Sequence, residues 1–511
     1  MGADMAASGT RTTGRGRLVT PAGLAWPQPP LRPGTGRSAG RLPAPPGNKQ
    51  LASLDAAFDA CGIRDGSTLS FHHHFRNGDQ LVNRVLERAA SRGLRDLTVA
   101  CSSIFPVHAP MVELIRAGVV TRIATDYLRG PVADAVIAGA LPSLVLLQSH
   151  GGRARAIAAD ELPIDVAFVA APLAARNGAA TGRAGRFGCG PLGYAMVDAA
   201  HAARTVVVAD AVVAPPLPHT DIPAEHVDHV VAMDGIGDPA GIQSGATVPV
   251  DTPQTRLITR EVVAVLRASG LLVDGFSFQT GAGGASLFAV AAIGAAMRAA
   301  GIRGGFVAGG IAAAHVEIVR QGLAERIRDV QSFDLVAVES AMRDPWHEIM
   351  SAEAYASPGH PAPAVDELSL MLLGAAEVDA GFNVNVAVGG DGRLIGGPGG
   401  HPDTAEGARL TIVTTALTGG GFAKLVDEVA CIVTPGKDVD VVVTDHGIAV
   451  NPARPELARR LRDDGIDHVP IDALIARARS TQTRPRVANQ GQPRVVIENR
   501  NGGILDLIRS P

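Results

Sequence analysis

Leu69-Ser70-Phe71-His72-His73-His74-Phe75-Arg76-Asn77-Gly78-Asp79 is the stretch that decides how this 511-residue chain is read. Apolar residues flank the imidazoles, so the run is not a purification tag. Leu69 and Phe71 read as the end of a buried strand, and Gly78 permits a turn. Leu81, Val82, Val85, Leu86 and Ala89 then recur at helical spacing. Three imidazoles and a guanidinium thus sit on a strand-to-helix loop. In open α/β sheets such loops, at the carboxyl ends of strands, bind ligands. Imidazoles beside Arg76 suit an anionic, carboxylate-rich ligand. A chance histidine cluster on a solvated loop is the alternative.

Outward from this run, strands and helices alternate. Residues 68–71, 97–101, 119–124, 143–147, 165–170 and 205–208 read as strands, with amphipathic stretches such as 111–117 and 132–138 between them. That spacing implies βαβ units and a parallel sheet. A turn-rich stretch, 214–245, closes this half. The pattern restarts near Thr255, with helices over 256–269, 286–300 and 313–324. Strands are expected at 272–278, 305–308, 327–332, 383–388, 410–413 and 439–443. Residues 494–499 and 504–508, around Asn501-Gly502-Gly503, read as a β-hairpin. The expected fold class is α/β: two Rossmann-like domains with mostly parallel sheets, 51–250 and 251–511, facing across a cleft. The second domain ends in the hairpin.

Composition supports this architecture. Aromatics are only 4% while hydrophobic residues reach 46%. Cores must be built from Ala, Val, Leu and Ile, which favours parallel sheets under closely packed helices. The net charge of -4 gives no sign of nucleic acid. The longest apolar stretch, 285–300, is interrupted by Gly294 and Arg298 and is too short to span a bilayer. The four cysteines, Cys61, Cys101, Cys189 and Cys431, show no metal-ligand spacing and point to a reducing, cytoplasmic setting. Residues 1–50 hold seven basic residues against Asp4 alone and read as a disordered basic tail. Their prolines oppose the amphipathic helix of a transit peptide.

Other segments carry candidate chemistry. Gln279-Thr280-Gly281-Ala282-Gly283-Gly284-Ala285-Ser286 follows a strand and opens a helix. Its amides suit a phosphate or a thioester oxyanion, or the segment is a plain tight turn. It lacks the Lys-Ser/Thr of a phosphate loop. Gln148-Ser149-His150-Gly151-Gly152-Arg153 and the loop 125–131 with Arg129 add cations at the edge already occupied by His72–Arg76. Residues 396–401 are glycine-dense and lead to Asp403. Asp445-His446 at a strand end reads as an acid/base couple or a buried structural pair. There is no nucleophile elbow and no zinc spacing, so no metal is expected.

Seven segments in order give a resemblance covering about residue 50 to the C-terminus. They are Ser70 to Arg76, Ser149 to Arg153, Leu192-Gly193-Tyr194-Ala195-Met196-Val197-Asp198, Gln279 to Ser286, Val330-Gln331-Ser332-Phe333-Asp334, Phe382-Asn383-Val384-Asn385-Val386, and Val443 to Pro452. Together they resemble the citrate lyase alpha-subunit family. The basic tail does not resemble the family's usual start, and Gly188-Cys189-Gly190-Pro191 departs from its expected run. The resemblance implies two CoA-transferase-like α/β domains and exchange of acetate for citrate on a thiol. It implies no covalently bound cofactor. The thiol belongs to a phosphopantetheine-type arm on a gamma acyl carrier subunit, with a CoA thioester as surrogate. A beta subunit then cleaves the citryl thioester, so the partners are those of a hetero-oligomer.

Many CoA-transferases use a Glu at a second-domain strand end. The matching stretch Val307-Ala308-Gly309-Gly310-Ile311-Ala312-Ala313-Ala314 has no carboxylate, and Glu317 falls inside the next helix. Direct attack of citrate on the acetyl thioester fits this. The expected catalytic groups are Gly281, Gly283, Gly284, His72 and His74. Arg76, Arg129, His150, Arg153, Asp445 and His446 are the expected substrate-binding groups. The imidazoles act as hydrogen-bond donors rather than metal ligands. A conventional CoA-transferase with a Glu nucleophile and a non-catalytic ligand-sensing module are the alternatives.

Overall fold

Apolar strand runs buried on both faces sort the chain into two large sheets. The computed structural model describes residues 44–243 and 247–511, together with the backbone of two short paired strands, Arg11–Thr12 and Leu18–Val19. Most of the expected basic tail lies outside the described residues. Across the first sheet the strands run Ile504–Arg509, Pro493–Glu498, Val145–Gln148, Val120–Thr125, Leu97–Cys101, Thr68–Phe71, Val166–Ala175, Arg204–Val213, His229–Ala232 and Gln50–Leu51. Ala180–Thr181 pairs off this path with Val166–Ala175. The second sheet runs His347–Ile349, Ala324–Ser332, Gly304–Ile311, Phe278–Thr280, Leu370–Gly374, Thr411–Thr414, Val441–Thr444 and Gly447–Val450.

The strand orders share one feature. From Thr68–Phe71 the next three strands add on one side, and Val166–Ala175 starts the other. From Phe278–Thr280 the next strands add on one side, and Leu370–Gly374 starts the other. Each reversal is a switch point, where the connections diverge and leave a crevice beyond the strands' carboxyl ends. The His72–Arg76 loop leaves the first switch point, and the Gly281–Gly284 loop leaves the second. A shared core joins the halves. Ala100, Leu146 and Tyr194 of the first pack in one cluster with Phe306, Val330 and Tyr355 of the second.

Several elements differ from the sequence reading; the expected strand 383–388, for one, is only Val384–Asn385, and the stretch 214–245 holds the strand His229–Ala232. The expected strand 272–278 is reduced to Phe278–Thr280, because Asp274-Gly275 turns the chain, with Gly275 at φ +81. Leu370–Gly374 was not read as a strand, yet it sits centrally, between Phe278–Thr280 and Thr411–Thr414. The terminal hairpin forms on the first sheet, not in the second unit. Pro493–Glu498 lies parallel to Val145–Gln148 and covers what would be an open edge. Among the described residues no helix is long and apolar enough to cross a membrane.

The hairpin carries a titration. Glu498 is buried and accepts from Gln148 Nε2 at 3.2 Å. Burial pushes its carboxyl up to about 7, whereas an unfolded Glu titrates near about 4.3. Between those values the folded protein holds a proton that the unfolded chain has lost. The contribution to stability therefore falls as pH rises through that window. Glu498→Gln should match the wild type at pH near 4 and exceed it at pH 8 by roughly 3–4 kcal/mol. Thermal melts across this range check it, and parallel curves for the two proteins would contradict it.

Candidate active site between the two switch points

The strand Thr68–Phe71 ends where the imidazole run begins, so the three side chains fan out from an irregular backbone. His73 lines a cavity of about 240 Å³ between the halves. Its Nδ1 stands 2.6 Å from Ser102 Oγ, its ring packs 4.6 Å from that of Tyr194, and its carbonyl accepts from Gln331 Nε2 at 2.8 Å. Burial, with His150 and Arg76 nearby, holds the imidazole well below its usual range, so it is neutral. His72 and His74 point elsewhere. His72 Nε2 lies 3.0 Å from buried Asp198, and His74 Nε2 donates to the Ala170 carbonyl at 2.7 Å. The expected catalytic pair is thus packed into the first half's interior, and the histidine between them faces the cavity.

Arg76 also lines the cavity. It takes a left-handed backbone at φ +53, a conformation uncommon in non-glycine residues. This turns its side chain between two rings: the guanidinium carbon lies 5.3 Å from the Phe105 centroid and 4.9 Å from that of Phe333. Phe105 comes from the first half and Phe333 from the second. Burial pushes Arg76 down to about 10, which leaves it charged at neutral pH. Arg129, by contrast, is exposed and outside the cavity lining.

Three helices start at the cavity. His150–Ala158 opens behind Ser149, which accepts from Gly152 N at 3.1 Å. Gly284–Ala300 follows Gly281 and Ala282, and His401–Gly407 follows Gly397 to Gly400; all of these loop residues line the cavity. Helix N-termini carry partial positive charge and favour anions. His150 Nδ1 donates to Asp126 at 2.8 Å, and Gly151 N donates to Asp403 at 2.7 Å, so both carboxylates stand behind the wall. Burial pushes Asp403 up to about 6. Among the described residues, no Asp or Glu lines the cavity. The volume lies below the range of about 300–1,000 Å³ for drug-sized ligands. The site therefore suits a small anion and the end of a second reactant.

The other expected groups are dispersed. Gly281 lines the cavity, but its amide donates to the Leu372 carbonyl at 2.8 Å. Gly283 and Gly284 stand outside the lining, and a Cβ on Gly284 would sit 2.3 Å from Val250 Cγ2. Gly281 and Gly284 therefore answer to sheet bonding and packing as much as to a ligand, whereas a Cβ on Gly283 would meet nothing within 4 Å. Arg153 is buried in a bidentate pair with Asp198, at 2.8 and 2.6 Å. Burial raises the Asp198 carboxyl, but Arg153 and His72 more than offset this and hold it well below its usual range. Asp445 and His446 pair at 3.1 Å on the turn before Gly447–Val450, away from the cavity. The sequence reading missed His73, Gln279, Gln331, Phe333, Tyr194 and Tyr355, although all but Tyr355 lie in stretches that resemble the family. Among the described residues, no group of three or more His, Cys, Asp or Glu is placed to hold a metal.

Residues 47–510 match the family model described as Citrate lyase, alpha subunit (CitF). The citrate lyase alpha chain of Escherichia coli (strain K12) is 44% identical over 463 residues, 90% of each chain. That of Klebsiella pneumoniae is 42% identical over 458 residues, 89% of this chain and 90% of the relative. Among solved structures, the putative alpha subunit of citrate lyase from Streptococcus mutans, in complex with citrate, superposes with a TM-score of 0.89 at 41% identity, covering 92% of this chain and 93% of that one. A Pseudomonas malonate decarboxylase hetero-tetramer with malonate gives a TM-score of 0.60 at 17% identity, over 86% and 88% of the chains. That likeness is one of fold.

The burial of Arg153 separates a structural role from a binding one. Arg153→Met strands the Asp198 carboxylate in the core and should destabilise the protein by about 3–5 kcal/mol. The fraction that stays folded should keep its citrate dependence. Urea denaturation and citrate titration on the same sample check both. Weakened citrate binding at unchanged stability would make Arg153 a ligand contact.

Proposed function

The chain belongs to the citrate lyase alpha-subunit family, and from that membership we propose that it is the subunit that exchanges acetyl for citryl on a carrier thiol. Citrate and an acetyl thioester enter; a citryl thioester and acetate leave. The thiol is that of a phosphopantetheine-type arm on a gamma acyl carrier subunit. A beta subunit cleaves the product to oxaloacetate and the acetyl thioester. The three form a hetero-oligomer in the cytoplasm. The halves on either side of about residue 250, with the terminal hairpin returned to the first, serve as two CoA-transferase-like units, one contributing Arg76 and the imidazoles, the other the glycine loop.

The observation that carries this reading is a cavity at the meeting of two switch points, lined by Arg76, His73 and His150 and, among the described residues, by no carboxylate. Arg76, held between Phe105 and Phe333, takes a citrate carboxylate through its planar fork. A second citrate carboxylate attacks the acetyl carbonyl. The developing oxyanion lies among helix N-termini, where fixed dipoles stabilise it. The carbon–sulfur bond breaks, giving a mixed citryl–acetyl anhydride and a thiolate. The thiolate then attacks the citryl carbonyl, and acetate departs with the bridging oxygen. No proton is gained or lost, so positioning and charge supply the catalysis.

A protein carboxylate has no place in this scheme. At the strand end Gly304–Ile311, a Cβ on Gly310 would stand 2.0 Å from the Phe333 ring. Phe333 thus occupies the space a side chain would need. Glu317 is exposed on the helix Ala313–Arg320 and accepts from Gln321 at 2.7 Å.

The test is acetate release from citrate plus acetylated carrier, or acetyl-CoA as surrogate. Arg76→Lys keeps charge but loses the fork and the stacking plane. Citrate kcat/KM should fall about 10- to 100-fold, the scale of one charge-assisted contact. Unchanged citrate dependence would sink the Arg76 assignment, and absence of exchange in the wild type would sink the reading itself.

A further inference from the structure

Gln279 lies in the strand Phe278–Thr280, at the second switch point, and lines the cavity. The residue is 6% exposed. Its Nε2 donates to the Tyr355 hydroxyl at 2.7 Å. On its other side is Gly309, at φ +93, where a Cβ would stand 2.3 Å from the amide carbon. The amide is therefore held by a tyrosine and by backbone that carries no side chain. This leaves Oε1 buried without a hydrogen-bond partner in the protein. Buried acceptors are nearly always paired. An orphan acceptor on the wall of a ligand cavity is one that a ligand's donor completes.

What donor would reach it follows from the proposed function, on which this inference rests. Ionised carboxylates are acceptors only, and a hydroxyl is a donor as well. A fully ionised hydroxytricarboxylate offers one donor, its hydroxyl. Arg76 and the helix N-termini answer the carboxylates; none of them can accept that hydrogen. We propose that Gln279 Oε1 accepts the hydrogen bond of the substrate hydroxyl, so that Gln279 separates citrate from tricarboxylates without one. Tyr355 acts as a positioning residue, its hydroxyl accepting from Nε2 while Oε1 is left toward the ligand.

The test compares citrate with tricarballylate, which keeps three carboxylates and lacks the hydroxyl. Dissociation constants are measured by calorimetry on the full chain. Wild type should prefer citrate by on the order of 100-fold, the scale of leaving one buried acceptor unsatisfied. Gln279→Met keeps the side-chain length and removes the acceptor. Its preference should fall to about fivefold or less, through weaker citrate binding with tricarballylate little changed. Tyr355→Phe should lower the preference in the same direction, and it carries the test if the first variant does not fold. A preference unchanged in the variants overturns the proposal, as does equal weakening of both ligands, which would place the amide on a carboxylate. Wild type binding neither ligand would overturn this inference and the proposed function together. Wild type binding both, at a ratio the variants leave unmoved, would overturn this inference alone.

Discussion

A parallel sheet leaves an opening beyond its strand ends only where successive connections turn away from each other. This chain makes that opening twice and sets the two face to face. Thr68–Phe71 parts from Val166–Ala175 in the first sheet, and Phe278–Thr280 parts from Leu370–Gly374 in the second. Everything in the site follows from that meeting. The loop after the first strand supplies His73 and Arg76, and the loop after the second supplies Gly281 and Ala282. Neither half holds the cavity alone. Arg76 comes from one half and one of its two stacking rings from the other, and Gln331 of the second half donates to the carbonyl of His73 in the first.

The electrostatics are consistent with this placement. Carboxylates near the cavity stand behind its wall, with Asp126 behind His150 and Asp403 behind Gly151. They orient donors without facing the ligand. The imidazoles His74, His315 and His401 are pushed down to about 4 by burial and remain neutral frame elements. His401, for example, donates to the Gly374 carbonyl at 3.0 Å and ties its helix to the central strand. Arg76 and the helix starts bring positive character to the cavity.

Much of the frame was legible in the sequence because its cause is local. Thr68–Phe71 and Leu97–Cys101 form over the residues their apolar runs mark. Leu370–Gly374 carries an equally apolar run, and its omission hid the second switch point. The site was less legible because direction is not local. Three consecutive imidazoles give no phase, and beyond Phe71 strand alternation no longer fixes which faces inward. His73 turned to the cavity, and its neighbours did not. Arg153 looks like a loop cation until Asp198, 45 residues later, is seen to bind it. The hairpin's return to the first sheet likewise depends on a distant edge, that of Val145–Gln148.

The central claim is that the acyl group passes between the two substrates, with no carboxylate of the protein in between. A single turnover with citrate labelled by oxygen-18 in its carboxylates tests it most directly. If citrate attacks the acetyl thioester itself, the acetate released in that first turnover carries one citrate-derived oxygen. Unlabelled acetate, together with an enzyme thioester trapped by hydroxylamine, would contradict the account and restore a protein nucleophile.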